Sequence, residues 1–135
     1  MNRIDDEIRA CEQALLRNPR DADVLLRLSG LFVKKGDRDA AAGCLWRAAN
    51  LCHEGGVAAE AIGLLKQALR LNPRRLDILD DLARTLANAG ERNQAINCLE
   101  RLLDARAFAH DAASTVDVLT RIRLLDPSWK AKLSV

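Results

Sequence analysis

The feature that most limits what this chain of 135 residues can become is a long internal period. Its only prolines, Pro19, Pro73 and Pro127, stand 54 residues apart and close similar phrases, LLRNP, RLNP and LLDP. The same shift lays Leu25 on Leu79, Leu28 on Leu82, Ser29 on Ala83 and Phe32 on Leu86. It also lays Ala41 on Ala95, Cys44 on Cys98, Leu45 on Leu99 and Leu65 on Leu119, apolar on apolar. Repetition at this scale describes units that cannot bury an apolar face alone and do so by stacking on their neighbours.

A shorter rhythm runs inside the long one. Gly36, Gly56 and Gly90 are each followed at offsets of five, nine and twelve residues by small or large apolar residues: Ala41, Leu45, Ala48; Ala61, Leu65, Ala68; Ala95, Leu99, Leu102. His110 opens a weakened copy with Thr115, Leu119 and Ile122. Steps of three and four residues put these positions on one face of a helix, and the starts alternate by 20 and 34 residues, so the repeating unit contains three helices.

The punctuation agrees. Gly36 and Gly90 suit the left-handed residue that ends a helix, and Asp37 and Glu91 place negative charge at the start of the next. The residue before each proline disfavours the helical region and stops a helix there. Helices are predicted near 3–17, 21–35, 38–53, 57–71, 75–88, 91–105 and 112–125. The absence of Tyr, two Phe and an abundance of Ala, Leu, Arg and Glu favour helix over strand. The expectation is an all-α fold in a single domain, 1–135.

Composition narrows the function. A net charge of +2 provides no general attraction to nucleic acid or anionic lipid. The acidic opening MNRIDDEIRACEQ is no signal peptide, and no apolar run reaches the length of a membrane span. Cys11, Cys44, Cys52 and Cys98 lack CxxC spacing, so reduced thiols, no metal site and a cytoplasmic location are expected. Cys52 and His53 are the nearest thing to a nucleophile and base. Adjacent helical residues point about 100° apart and do not pair, so no enzyme activity, catalytic residue or cofactor is expected. Arg70, Arg74 and Arg75 form a basic cluster, read as solvated charges at a helix C-terminus, with phosphate or RNA contact as the alternative.

The segment ADVLLRLSGLFVKKGDRDAAAGCLWRAA resembles a tetratricopeptide repeat. Leu25, Leu28, Ser29 and Phe32 match the family's first helix, and Ala41, Leu45 and Ala48 match its second. LDILDDLARTLANAGERNQAINCLERLL matches again through Leu79, Leu82, Ala83, Leu86, Ala95, Leu99 and Leu102. Helix 38–53 then serves as second helix of one pair and first helix of the next. Phrases such as AAEAIGLLKQALRLNP are similar to repeats of bacterial, myxobacterial-type proteins.

The resemblance implies a right-handed α-solenoid of about seven antiparallel helices and a protein-interaction module or adaptor. Its concave groove would bind a partner peptide or folded domain through Leu26, Val33 and Lys34, through Trp46, Asn50 and His53, and through Arg84 and Asn88. A carboxylate clamp is poorly matched, because Gly30 and Arg84 stand where asparagines are wanted. Trp129 is placed over the terminal helix, and an exposed solenoid end offers a homodimer surface. The alternatives are an RNA- or phosphate-binding helical repeat and a self-assembling structural adaptor.

Overall fold

The computed structural model describes residues 2–131, and these form seven α-helices with no strand among the described residues: α1 (Arg3–Arg17), α2 (Ala22–Lys35), α3 (Arg38–Glu54), α4 (Ala58–Leu71), α5 (Leu76–Asn88), α6 (Arg92–Phe108) and α7 (Ala112–Leu125). The period is preserved in the bounds. Shifting by 54 residues carries α3 onto α6 and α4 onto α7, end for end. Helix α6 runs on to Phe108, past the expected end at residue 105, because its stop signal is the turn at His110 and nothing between them breaks a helix.

The chain gathers into two compact units, Met1–Ile78 and Leu79–Val135, the division falling within α5. In the first, α1 packs on α2, α2 on α3 and α3 on α4; in the second, α6 packs on α7. Helix α3 therefore has a partner on either side, as the double role read for residues 38–53 requires. Short connections make successive helices antiparallel.

Two kinds of turn recur. At Gly36, Gly56, Gly90 and His110 the backbone enters the left-handed region, with φ of 89°, 76°, 83° and 57°. At each, the residue's N–H donates to the carbonyl three back and the next N–H to the carbonyl five before it, as in Gly36 to Val33 and Asp37 to Phe32. This pair of bonds satisfies carbonyls that a helix end leaves bare. Asp37 and Asp111 then accept from the N–H of Ala40 and Ser114 at 3.0 and 3.2 Å, closing the start of the following helix. Glu91 makes no such side-chain bond.

The second kind stands at the prolines. Asn18, Asn72 and Asp126 have nearly the same conformation, φ/ψ of −138°/89°, −144°/92° and −143°/95°. The side-chain oxygen of each accepts from the N–H two residues on, at 3.2, 3.1 and 3.1 Å. Each backbone N–H donates to the carbonyl four back. The three proline phrases are thus one turn built three times.

Burial follows the same register. Leu25 and Leu79, Leu28 and Leu82, Ala41 and Ala95, and Leu45 and Leu99 are all buried, as are Ala48, Ala61 and Ala68. Ser29 is buried where its counterpart is Ala83, and its hydroxyl donates to the carbonyl of Ala41 at 3.0 Å. That bond offsets the cost of burying the hydroxyl.

In the first unit the turn after α4 is pinned to α3. The Asn72 side-chain amide donates to Asp39 Oδ1 at 2.8 Å and the Arg75 guanidinium donates to the same oxygen at 3.0 Å. Arg75 also holds Asp77 with two bonds, at 3.0 and 2.9 Å, and lies over the Trp46 ring, 5.7 Å from its centroid. Arg75 is therefore not a free member of a basic cluster: two carboxylates and an aromatic face take up its charge. The bond from Asn72 foremost, then that from Arg75, holds the Asp39 carboxyl below the usual carboxylate range, and Arg75 does the same for Asp77.

Two outcomes follow from this architecture. His110 carries a side chain where the other three turns carry Gly, and a left-handed conformation costs an ordinary residue about 1–2 kcal/mol. His110→Gly is expected to stabilise the fold by about 1 kcal/mol and raise Tm by about 3–5 °C in a thermal melt; an unchanged or lowered Tm refutes the strain. Carboxyls with depressed folded pKa values stabilise the fold above their unfolded pKa, about 4, and lose that contribution as pH falls through the folded value. The urea midpoint should therefore drop as pH falls below about 4. Arg75→Met, which keeps the stem over Trp46, should shrink that drop, and an identical acid profile in the variant counts against the clamp.

Candidate functional site

Each unit carries a pocket, and the two pockets are the same place in the repeat. In the first unit Leu26, Gly30 and Val33 from α2, Leu45 from α3 and Leu71 from α4 line an open cavity of about 430 Å³ with Arg38, Gln67 and Arg70. The spacings explain the convergence: 26, 30 and 33 share one face of α2, and 67, 70 and 71 share one face of α4. In the second unit a cavity of about 310 Å³ is lined by α5, α6 and α7. Its first helix contributes Ala83, Arg84 and Ala87 in place of Ser29, Gly30 and Val33, and its second Leu99 in place of Leu45. Its third contributes Arg121, Leu124 and Leu125 in place of Gln67, Arg70 and Leu71.

The chemistry of the two copies differs. In the second unit Arg121 reaches Asp80 at 2.7 Å and Asp117 at 3.8 Å, and Arg84 reaches Asp80 at 3.2 Å. One carboxylate is shared by two guanidiniums, so that pocket brings its own counter-charge. In the first unit the position of Asp80 is taken by Leu26, which is 41% exposed, and Val33 is 46% exposed. Gly30 stands where the second unit has Arg84, and a Cβ built on it meets nothing within 4 Å. The first pocket is the larger of the two, and its lining arginines, Arg38 and Arg70, lack the shared carboxylate that Asp80 gives Arg84 and Arg121.

The structure distributes the eight residues singled out in the sequence. Leu26 and Val33 line the first pocket; Arg84 and Asn88 line the second. Lys34 is exposed beside Val33 but outside the lining. Trp46, Asn50 and His53 form a stripe on α3 that enters neither pocket: Trp46 is half-buried under Arg75, while Asn50 and His53 are exposed. The contributions of α3 and α4, namely Arg38, Gln67, Arg70 and Leu71, are absent from the expected groove because the repeat family directs attention to first helices. The 54-residue shift, applied to α4 as well as α2, is the signal that finds them. Arg70 is thereby separated from Arg75 and turned to the pocket.

Other chemistry is sparse. Cys52 donates to Glu60 Oε2 at 3.8 Å, and burial foremost, with Glu60, pushes its thiol up, away from a reactive thiolate. The four cysteines are free thiols. Among the described residues no group of three metal-ligating side chains occurs, and no helix is long and apolar enough to cross a membrane.

A family model described as tetratricopeptide repeat matches residues 54–116. Among solved structures, a crystal structure of nearly identical TPR-like repeats, described as kinesin light chain of Podosopora anserina, is 16% identical. That likeness covers 92% of this chain and 79% of that one, with a TM-score of 0.52, and it is one of fold. The crystal structure of MamA is 18% identical over 93% of this chain and 92% of that one, with a TM-score of 0.45. That of YrrB, a TPR protein with an unusual peptide-binding site, is 13% identical over 93% and 79%, with a TM-score of 0.38. Both are too loose to argue from. Comparison with curated protein sequences finds no match. Residues 54–116 thus match the tetratricopeptide repeat, and the repeated turns and the register of buried small and large residues carry the same pattern into the helices on either side.

Proposed function

We propose that this chain is a non-enzymatic adaptor, a protein-interaction module whose first-unit pocket receives a segment of a partner protein. One observation carries the reading: the repeat builds the same open pocket in each unit, and in the first it leaves Leu26 and Val33 exposed over a floor formed by Leu45 and Leu71. Apolar side chains left in water at the rim of a cavity gain by burial against a ligand, about 25 cal/mol for each Å² covered. Repeats of this family generally act as protein-interaction scaffolds, which supports the same class of function.

In this reading Leu26 and Val33 anchor the segment and Lys34 sits at the rim. Arg84 and Asn88 offer polar contacts at the second pocket, and Asn50 and His53 offer a further exposed stripe. Trp46 holds the turn at Arg75 and supports the unit instead of anchoring the ligand. Four free thiols fit a reducing, cytoplasmic setting.

A photo-crosslinking residue at position 33 should capture a partner protein that the same residue at exposed Arg17 does not; equal capture at both positions overturns the pocket assignment. Gly30→Leu provides a separation of function. Its Cβ meets nothing within 4 Å, its side chain extends into the pocket, and it replaces a helix-interior glycine, so it should raise stability by about 0.5–1 kcal/mol in urea unfolding. At the same time it should abolish the position-33 adduct, whereas an adduct that persists at full yield counts against the pocket.

A further inference from the structure

We infer that the segment taken by the first-unit pocket is acidic: an apolar side chain seated on Leu26, Val33 and Leu45, with a side-chain carboxylate beside it that reaches Arg38 or Arg70. The inference rests on the reading of this pocket as a docking site and names the chemistry of its occupant.

The chain holds two versions of one pocket. In the second unit, Asp80 stands at the first-helix position and neutralises Arg84 and Arg121 from within. In the first unit that position is Leu26, yet positive charge is again present, now supplied from α3 and α4 by Arg38 and Arg70. Among the described residues neither guanidinium has a carboxylate within ion-pair distance. The nearest acids in sequence are engaged elsewhere: Asp37 accepts from the Ala40 N–H, and Asp39 accepts from Asn72 and Arg75. Asp23 lies a turn before Leu26 and outside the lining.

The pocket thus has an apolar floor and an unanswered positive rim made by Arg38 and Arg70. A carboxylate placed there forms charge-assisted hydrogen bonds next to a poorly hydrated surface, where they are strongest. A basic segment is repelled by the same two arginines, which makes the selection a matter of exclusion as well as attraction. Nucleic acid fits less well. No aromatic side chain lines the pocket to stack a base, and an apolar floor has nothing to offer a sugar-phosphate backbone.

The test uses the full chain and random dodecapeptides displayed on phage. Enriched sequences are made with acetylated and amidated ends, so that only side-chain charge is present, and mapped by backbone amide shifts. The expected result is Asp or Glu directly beside Leu, Ile or Phe, with shifts at Leu26, Gly30, Val33 and Leu71. Affinity should fall about ten-fold when the arginine that holds the carboxylate, Arg38 or Arg70, is changed to Gln, weaken with added salt, and be unchanged by Arg17→Gln on the exposed surface of α1. Neutral or basic peptides that shift the same amides overturn the acidic assignment and leave the docking site standing. Peptides that shift amides only elsewhere overturn both. Displacement of the acidic peptide by polyuridylate at equal charge replaces it with a general polyanion site.

Discussion

Everything in this fold depends on how closely its helices approach, and fully buried alanines set that distance. Ala41, Ala48, Ala61, Ala68 and Ala95 have no exposed surface. Ala41 and Ala95, which the period keeps small in both copies, stand where a larger side chain would press on the neighbouring helix, and close-packed interiors have little room to absorb one. The leucines between them, Leu45, Leu65 and Leu99, fill the spaces that this approach leaves. The turns serve the same end: a left-handed residue or an Asx-Pro step reverses the chain in a few residues, so consecutive helices are delivered side by side in register.

Repetition in such a scaffold separates what must be kept from what is free to vary. Many positions that meet across helices are occupied alike in both copies, as at Leu25 and Leu79, Leu28 and Leu82, Ala41 and Ala95, and Leu45 and Leu99. The positions that face the pocket are not. Leu26 and Asp80, Gly30 and Arg84, Gln67 and Arg121, and Arg70 and Leu124 are pairs related by the period, and each differs in size or charge. One backbone has been given one pocket with an internal counter-ion and another without. The two pockets differ by side chains exchanged on a constant frame.

Much of the frame is legible in the sequence. The period, the three-helix unit, the helix starts and the left-handed turns at Gly36 and Gly90 follow from local rules of conformation that act over four or five residues, while the left-handed backbone at Gly56 and His110 is seen only in the structure. The first-helix residues Leu26, Val33, Arg84 and Asn88 are singled out by the resemblance to the repeat family, which points to first-helix faces. Arg75 looks like a solvated charge in the sequence because its partners lie far off along the chain: Asp39 is 36 residues away and Trp46 sits on another helix. The pocket roles of Arg38 and Arg70 are hidden for the same reason, coming from helices that only the packed unit brings beside α2.

The amino-acid sequence by itself determined the helices, their ends, their repeat and the face of each that is buried, because those depend on residues a turn or two apart. Tertiary packing decided which charges are spent and which remain. Whether an arginine is neutralised depends on what a second and third helix place within a few ångströms of it. In the first unit that placement commits Arg75 to Asp39 and Asp77 and leaves Arg38 and Arg70 facing an apolar pocket.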